Sequence, residues 1–493
     1  MKHAKNLVFI ISDEHNPKIL GCSGDRLVLT PNLDQLAARG TRFPAAYCNS
    51  PACVPARAVL ATGRYAHDVR SWDNAHPYMG NPISWHRVLR DAGVEVASIG
   101  KLHFRSVEDD NGFSEEIIPM HVVDGVGDLG DLIRDELNIR GGVAEMANQA
   151  GPGESTYTKY DRDIAEQARR WIRTRATPDA APWALFISLV APHFPLTAPE
   201  EFYFRYYDDP DLPWPKQYAA PERPRHPYIV DYARSLDYDS HFDTDDKVRR
   251  AMAGYYGLVS FLDQQVGLIL GELDAVGLTS CTDVIYTSDH GENLGARGLW
   301  GKTTMYEESV GVPLIAAGPS FNAGAVHRGP VTHVDLFPTV LDSLGVLAQP
   351  PVAGLRGASL AGSATVPANR VVFAEFHGMG SRTGSYMVRD ERYKYVYYVG
   401  YPAQLFDLLV DPEELRDVAA EPEMVPVIER LDAELRSICD PEAINDLAKS
   451  DQSALLEKHG GKSVIQAKGD FSFSPAPGTQ AVFERAAPDA ANL

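Results

Sequence analysis

The 493-residue sequence has few cysteines, and their spacing excludes two common roles. The five cysteines are spread widely along the chain, at Cys22, Cys48, Cys53, Cys281 and Cys439. No pair has the C-x-x-C spacing of a zinc or redox site, and an odd, scattered set is not a disulfide framework. We therefore expect a protein of the reducing cytoplasm.

Long hydrophobic runs are also missing. No run approaches the roughly 18 apolar residues that a membrane-spanning helix needs. The apolar run at residues 7–11 is too short for a signal-peptide core, and Asp13 and Glu14 follow it closely. We interpret this run as a buried first strand, and we expect no membrane partner.

The sequence has fewer positively charged than negatively charged residues. The chain has 46 lysines and arginines against 67 acidic residues, a formal net charge of -21. Such a surface repels nucleic acid and anionic lipid, so neither is expected as a partner. An anionic substrate would need its own local cluster of positive side chains.

Short apolar runs alternate with helical patterns over most of the chain, at residues 7–11, 94–99, 183–189, 283–288 and 312–316. Continuous hydrophobicity in short strands is typical of a mainly parallel sheet covered by helices on both faces. One of the helical patterns is long and covers residues 244–276. The alternation predicts one large α/β domain over residues 1–368.

The pattern changes near residue 371. Short runs at 371–376, 386–389 and 393–399 predict a small antiparallel sheet with a tyrosine-rich face, and residues 424–438 predict a closing helix. These elements predict a smaller C-terminal antiparallel α+β subdomain over residues 369–440.

Two stretches lack a periodic pattern. Residues 441–493 are predicted to be either a disordered tail or an arm that docks on a neighbouring subunit of a dimer or tetramer. Residues 201–243 are rich in tyrosine and proline and predict a long irregular loop, typical of a lid or pocket wall. Within it, residues 203–211 and 228–243 either wall a pocket for a cationic or aromatic group or form ordinary surface.

A compact motif begins at Cys53, with its specified positions at Cys53, Pro55, Arg57, Leu60, Thr62 and Gly63. The pattern Cys-x-Pro-x-Arg followed by Leu-x-Thr-Gly resembles the signature of the type I, formylglycine-dependent sulfatases. Blocks in the expected order extend the resemblance over about residues 5–435, and some are similar to the choline-sulfatase and phosphonate monoester hydrolase branches. The resemblance implies an alkaline phosphatase-like fold.

The resemblance also implies a metal site. Two pairs of possible metal ligands follow predicted strands, Asp13 with Glu14 and Asp289 with His290, and ligands bind at the carboxyl ends of such strands. The implied ligands of one divalent cation are Asp13, Glu14, Asp289, His290 and the formylglycine made from Cys53. Glu14 is longer than the more usual Asp, Asn or Gln, which leaves its direct coordination open. We expect Ca²⁺, with Mn²⁺ or Mg²⁺ as alternatives.

Further catalytic residues are implied by similarity, and they supply the local positive charge that the whole molecule lacks. The catalytic set is Cys53, Arg57, Lys101, His103, His193 and Lys302. The substrate-binding set is Asn74, Lys101, His193 and Lys302. The resemblance implies that a formylglycine-generating enzyme oxidises Cys53, that the hydrated aldehyde attacks sulfur, that His193 or Lys302 protonates the leaving oxygen, and that His103 takes a proton to release sulfate.

The sequence therefore predicts a sulfatase that hydrolyses a small organic sulfate ester to an alcohol and inorganic sulfate. The same groups suit tetrahedral phosphorus, so a phosphonate monoester or phosphodiester hydrolase is the alternative. A catalytically inactive binding or scaffold protein is a minor alternative.

Overall fold

The computed structural model describes residues 4–135, 139–140, 142–175, 181–346, 352–362 and 370–483. Its strands are β1 Asn6–Asp13, β2 Gly40–Arg42, β3 Ala46–Tyr47, β4 Glu95–Lys101, β5 Glu115–Met120, β6 Gly151–Pro152, β7 Trp183–Pro192, β8 Thr197–Ala198, β9 Thr282–Ser288, β10 Leu314–Ala317, β11 Ala325–Val326, β12 Val331–Thr332, β13 Val372–Phe376, β14 Ser385–Arg389, β15 Tyr393–Tyr398 and β16 Gln404–Asp407.

The α-helices of the same residues are α1 Pro31–Ala38, α2 Cys53–Thr62, α3 Ala66–Val69, α4 Trp85–Asp91, α5 Gly142–Gln149, α6 Thr156–Arg175, α7 Glu200–Tyr207, α8 Pro227–Leu236, α9 Tyr238–His241, α10 Asp245–Ala275, α11 Glu307–Val310, α12 Leu336–Ser343, α13 Val425–Ile438, α14 Pro441–Lys458 and α15 Lys462–Lys468. No helix in the described ranges is long and apolar enough to cross a membrane.

The large sheet has eight strands in the order β11-β2-β10-β9-β1-β7-β4-β5. Strand β1 lies at its centre and pairs in parallel with both β7 and β9. Strand β10 is antiparallel to its neighbours β9 and β2. The predicted mainly parallel sheet is therefore confirmed, and the parallel central strands bring their carboxyl ends to one edge.

Helices cover both faces of this sheet, as the side-chain alternation of β1 requires. Leu7, Phe9 and Ile11 pack in a core that includes residues of α2, α4 and α12. Val8 and Ile10 face the opposite core, which includes residues of α1, α6 and α10. Burying a side chain of this kind contributes about 1.5–3 kcal/mol, so both faces hold the central strand in place.

The second sheet is antiparallel, in the order β13-β14-β15-β16, and α13 packs against it. This confirms the predicted C-terminal antiparallel sheet with its closing helix. The predicted domain boundary at residue 368 lies outside the described residues. The sheet packs on the large domain, because Phe373, Tyr386 and Leu405 share a core cluster with Val59 of α2 and Val334.

The prediction of an irregular loop over residues 201–243 was wrong in part. This stretch contains α7, α8 and α9. Its tyrosines form buried helical faces: Tyr203 and Tyr206 lie three residues apart on α7, and Tyr228, Tyr232 and Leu236 lie four apart on α8. Because these buried positions are occupied by tyrosine instead of aliphatic residues, the hydrophobic period of the helices is not evident in the sequence.

The absence of regular structure predicted after residue 440 was also wrong. Asp440 caps α14 by accepting a hydrogen bond from the Ala443 backbone N–H, and Pro441 begins the helix. The buried face of α14 is largely polar and includes Asn445, Ala448 and Gln452, so no hydrophobic period marks it. Residues 470–474 then return to the large domain of the same chain. The predicted docking on a neighbouring subunit stays a prediction.

Candidate active site

The first group of site residues lies where β1 and β9 end side by side. The two strands are in register with Ser12 opposite Ser288, so the residues that follow are adjacent. The Asp289 backbone N–H donates to the Ser12 carbonyl at 3.1 Å, and the Glu14 N–H donates to Asp289 Oδ1 at 3.2 Å. Asp13, Glu14 and Asp289 are buried. The two pairs of residues that follow β1 and β9 therefore lie side by side, as the sequence predicts.

Cys53 is the first residue of α2 and is buried among charged groups. Its Sγ lies 3.1 Å from Lys302 Nζ, 3.3 Å from His290 Nε2 and 3.7 Å from Asp13 Oδ1. Burial, together with Asp13, raises the pKa of the Cys53 thiol to about 12, although Lys302 and Lys101 oppose the rise. An unmodified thiol here is neutral at pH 7 and is a poor nucleophile.

The buried donors fit a divalent cation. One group of possible ligand atoms, all within 4.8 Å of one another, comes from Asp13, Cys53, Asp289 and His290, and an overlapping group comes from Asp13, Glu14 and His193. Carboxylate oxygens with one imidazole are a donor set for Ca²⁺, Mg²⁺ or Mn²⁺.

Two further observations support the fit. His290 Nδ1 lies 3.0 Å from the Gly291 carbonyl oxygen, which accepts a hydrogen bond, so Nε2 presents its lone pair to the cluster. Both carboxylate oxygens of Glu14 are buried and accept no hydrogen bond from the described residues. Burial raises the pKa of Glu14, although Lys302 opposes the rise. A cation near Glu14 would satisfy these oxygens.

Arg57 bridges Asp13 and Asp289. Its Nε donates to Asp289 Oδ2 at 2.9 Å, and its Nη2 lies 3.7 Å from Asp13 Oδ2. Its Nη1 donates to the Lys101 carbonyl and the Ser188 hydroxyl. The Lys101 ammonium also pairs with Asp13. Burial alone would raise the pKa of Asp13, but Lys101 and the other cations hold it well below its usual value.

Close backbone contacts fix the loops that follow β4 and β7. Gly100 has φ +102°, and a Cβ there would lie 2.2 Å from the Ser188 carbonyl oxygen, so only glycine fits. Asp161 of α6 accepts hydrogen bonds from the backbone N–H groups of Val190 and Ala191 at 2.7 and 2.8 Å. These contacts position Lys101 at the end of β4 and His193 directly after β7.

His103 and His193 both face the cluster as neutral imidazoles. Burial, then Lys101, lowers the pKa of His103, and burial, then Lys302, lowers that of His193. His193 Nδ1 lies 2.6 Å from the Phe194 carbonyl oxygen, so Nε2 accepts from Lys302 Nζ at 2.9 Å. Both ring nitrogens of His103 are buried without a hydrogen-bond partner among the described residues.

Asn74 lies beside Cys53 in the wall of the cavity in front of the site. Its Oδ1 accepts a hydrogen bond from the Val54 backbone N–H at 3.2 Å, and this bond holds the Asn74 side chain at the N-terminal turn of α2. The structure thus brings every predicted catalytic, metal-ligand and substrate-binding residue to one place.

Two parts of this cavity were missed or left open by the sequence. Tyr232 and Tyr238 line it, and the Tyr232 hydroxyl donates to the Lys302 carbonyl at 2.6 Å, so residues 228–243 do wall a pocket. The segment 470–474 also lines the cavity. No sequence signal placed this segment, because it is distant along the chain and aperiodic.

The fold and the site define an enzyme of α/β architecture with a buried, charged centre at the carboxyl ends of its central strands. The sulfatase family profile matches residues 5–346, and the profile of the N-sulphoglucosamine sulphohydrolase C-terminal region matches residues 295–440. The chain belongs to the sulfatase family.

Relatives agree with this assignment. The chain is 31% identical to the choline-sulfatase of Rhizobium meliloti (strain 1021) over 85% of this chain and 83% of that protein. It is 30% identical to arylsulfatase K of Danio rerio over 92% of this chain and 87% of that protein. The crystal structure of a phosphonate monoester hydrolase from Agrobacterium radiobacter has the same fold, with a TM-score of 0.70 and 24% identity over 88% of this chain and 95% of that one.

Proposed function

We propose that this protein hydrolyses a small organic sulfate ester to an alcohol and inorganic sulfate, with residue 53 as the source of the nucleophile. The observation that carries the proposal is the position of Cys53, at the start of α2 and within 3.7 Å of Lys302, His290 and Asp13. A thiol with so high a pKa does not suit direct catalysis, whereas conversion to formylglycine by a formylglycine-generating enzyme supplies an oxygen nucleophile instead.

The cation would be held by Asp13, Asp289, His290 and residue 53, with Glu14 as a further ligand. When bound, it supplies Lewis-acid stabilisation of negative charge at the reacting oxygens. We propose Ca²⁺, with Mn²⁺ and Mg²⁺ as the alternatives that metal analysis of the purified protein distinguishes.

The positive side chains then bind the sulfate group. Lys302 lies directly beside residue 53, and Lys101 and Arg57 lie behind it against Asp13. In a buried site, such preorganised donors stabilise the charge that moves onto the equatorial oxygens during transfer. They provide the local positive charge that a protein of net charge -21 needs for an anionic substrate.

The hydrogen bonds support a proposal for the proton-transfer roles. Lys302 Nζ donates to His193 Nε2, so Lys302 carries the proton and His193 orients it. We propose that Lys302 Nζ protonates the leaving alcohol oxygen. His103, neutral and with both ring nitrogens unpaired in the described structure, takes a proton from residue 53 as sulfate is released.

A comparison of kcat/KM on nitrophenyl sulfate and on phenyl phosphonate monoester tests this function. We expect the sulfate ester to be preferred, and Cys53→Ala to abolish turnover of both. A tenfold preference for the phosphonate would favour the alternative function, phosphonate monoester hydrolysis, with the same residues in the same roles. Absence of turnover on both, with residue 53 converted and metal present, would contradict the proposal.

A further inference from the structure

The cavity in front of Cys53 has a volume of about 120 Å³, and its lining residues fall into groups of different chemistry. One group is the charged residues of the site already described. A second group is apolar and includes Val143, Met146, Phe194, Leu236 and Met379, and a third is charged and includes Asp128, Asp131 and Arg140. Five consecutive residues of the C-terminal segment, Asp470, Phe471, Ser472, Phe473 and Ser474, complete the lining. We call residues 470–474 the tail segment.

The tail segment is attached to the large domain at both of its ends. Asp470 Oδ2 lies 3.3 Å from Arg140 Nε, and Arg140 also pairs with Asp128 and Asp131. The Tyr157 hydroxyl donates to the Ser474 carbonyl at 2.5 Å. Two residues further on, Ala476 is buried in a core cluster of the main sheet. These contacts make the tail segment a wall of the cavity.

Phe473 is the part of the wall that reaches the catalytic groups. Its ring lies 5.2 Å from Tyr157 and 6.0 Å from Phe194, edge-on to both. Phe194 stacks on the His193 ring at 4.3 Å, and the Tyr157 ring is edge-on to His193 at 5.9 Å. Phe473 therefore lies next to the side chains that flank the proton-transferring pair, where the leaving alcohol must be.

We propose that the tail segment of each chain forms the leaving-group wall of that same chain's site, and that it restricts the substrate to esters of small alcohols with an apolar or aromatic body. This inference rests on the proposed hydrolytic function. The lining carries the argument, because the side chains of Phe194, Phe471 and Phe473 offer an apolar and aromatic surface to the leaving group. We expect a sulfated sugar chain, whose surface is covered by hydroxyl groups, to bind poorly against this wall.

Phe473→Ala tests the wall in the full-length metal-loaded enzyme, with Phe204→Ala on an exposed face of α7 as the matched control. KM and kcat are measured on nitrophenyl sulfate and on a sulfated disaccharide, together with inhibition by inorganic sulfate. We expect KM for nitrophenyl sulfate to rise about tenfold, the preference over the disaccharide to fall at least tenfold, and the inhibition constant of sulfate to stay within twofold. The control should match the wild type. An unchanged preference would overturn the proposal.

Mixed oligomers test whether the wall acts within one chain. Chains with Phe473→Ala are co-produced with chains that carry Cys53→Ala and an intact tail segment, so that only the first kind is active. A wall supplied by the same chain predicts that the mixture keeps the high KM of Phe473→Ala. Recovery of the wild-type KM would show that a neighbouring subunit supplies the wall, and would overturn this part of the proposal.

Failure of the proposed function gives a different result. If wild-type enzyme turns over phosphonate rather than sulfate esters, the same comparison is made with small and large phosphonate esters, and the preference still reports on Phe473. A wild-type enzyme without turnover on either class contradicts the proposed function itself.

Discussion

At the scale of single residues, the chemistry depends on how burial and charge act on Cys53. The side chain is 4% exposed, and the carboxylate of Asp13 adds to the desolvation that keeps its thiol protonated. Lys302 and Lys101 offset this only in part. The environment therefore disfavours a thiolate at residue 53, which is consistent with Cys53 as the precursor of formylglycine and not as the nucleophile itself.

Replacing Cys53 by Ser should separate the two halves of the reaction. A serine hydroxyl can accept the sulfuryl group, but it has no second hydroxyl with which to expel sulfate. We expect Cys53→Ser to form a stable covalent sulfate adduct, seen by intact mass, with no steady-state turnover. Rapid multiple turnover by this variant would contradict the release step.

Lys302 should matter most for esters whose leaving alcohol needs a proton. General acid catalysis contributes roughly 100-fold or more, and it is largely dispensable when the leaving group is a nitrophenolate. Lys302→Ala is therefore expected to reduce kcat/KM about 100-fold more for an alkyl sulfate than for nitrophenyl sulfate. Lys247→Ala on α10 is the surface control. Equal losses on both esters would assign the proton to another group.

At the scale of secondary structure, the sequence predicts elements well where the hydrophobic period is clear. Helix α10 was expected over residues 244–276 and covers Asp245–Ala275, because its apolar side chains are continuous and Thr244 caps it. The central strands were expected from short apolar runs, and from them the edge where Asp13 and Asp289 meet. The helices α8 and α14 were not predicted, because their buried faces use tyrosine or polar side chains.

A buried carboxylate joins the C-terminal sheet to α3. Glu375 of β13 accepts from His67 Nδ1 at 2.8 Å and pairs with His377 at 2.9 Å. Burial alone would raise the pKa of Glu375, but His67 and His377 more than offset it and leave it well below its ordinary value of 4.5. Burial would lower the pKa of His67, but Glu375 raises it above 6.5.

These shifts predict a pH dependence of stability. The contribution of Glu375 is present above about pH 4.5 and is lost as pH falls through its lower folded pKa, whereas that of His67 is present below about pH 6.5 and is lost as pH rises through its higher folded pKa. Glu375→Gln should lower the free energy of unfolding by about 3 kcal/mol near pH 6 and weaken its dependence on pH at both the acidic and the basic end. Denaturant titrations from pH 4 to 9 measure this, with exposed Glu423→Gln as control. If the dependence of stability on pH is unchanged in Glu375→Gln, the pair of Glu375 and His67 does not cause it.

At the scale of the whole molecule, an acidic protein of net charge -21 encloses a site in which Arg57, Lys101 and Lys302 gather around residue 53. Sequence spacing and family resemblance pointed to these residues, which the structure brings together, but not to the tail segment that lines the cavity. Its position follows from tertiary contacts with Arg140 and Tyr157, which no local pattern encodes. The cytoplasmic location and the homo-oligomeric state stay predictions.

Removal of the metal should lower stability as well as activity. A cation that binds only the folded protein adds about 2.7 kcal/mol when its concentration is 100 times its dissociation constant. We expect chelation to lower the melting temperature by a few degrees and to abolish turnover, with both restored by Ca²⁺. Asp289→Asn should make the melting temperature insensitive to added metal. A chelated wild-type protein that keeps its melting temperature and activity would contradict the metal site.

The most direct test of the central claim is the mass of the peptide that contains residue 53, taken from enzyme that is turning over sulfate ester. The account predicts a mass about 18 Da below that of the cysteine form, in proportion to specific activity, and the unmodified mass in inactive Pro55→Ala protein. Fully active enzyme in which residue 53 keeps the mass of a plain thiol would contradict it.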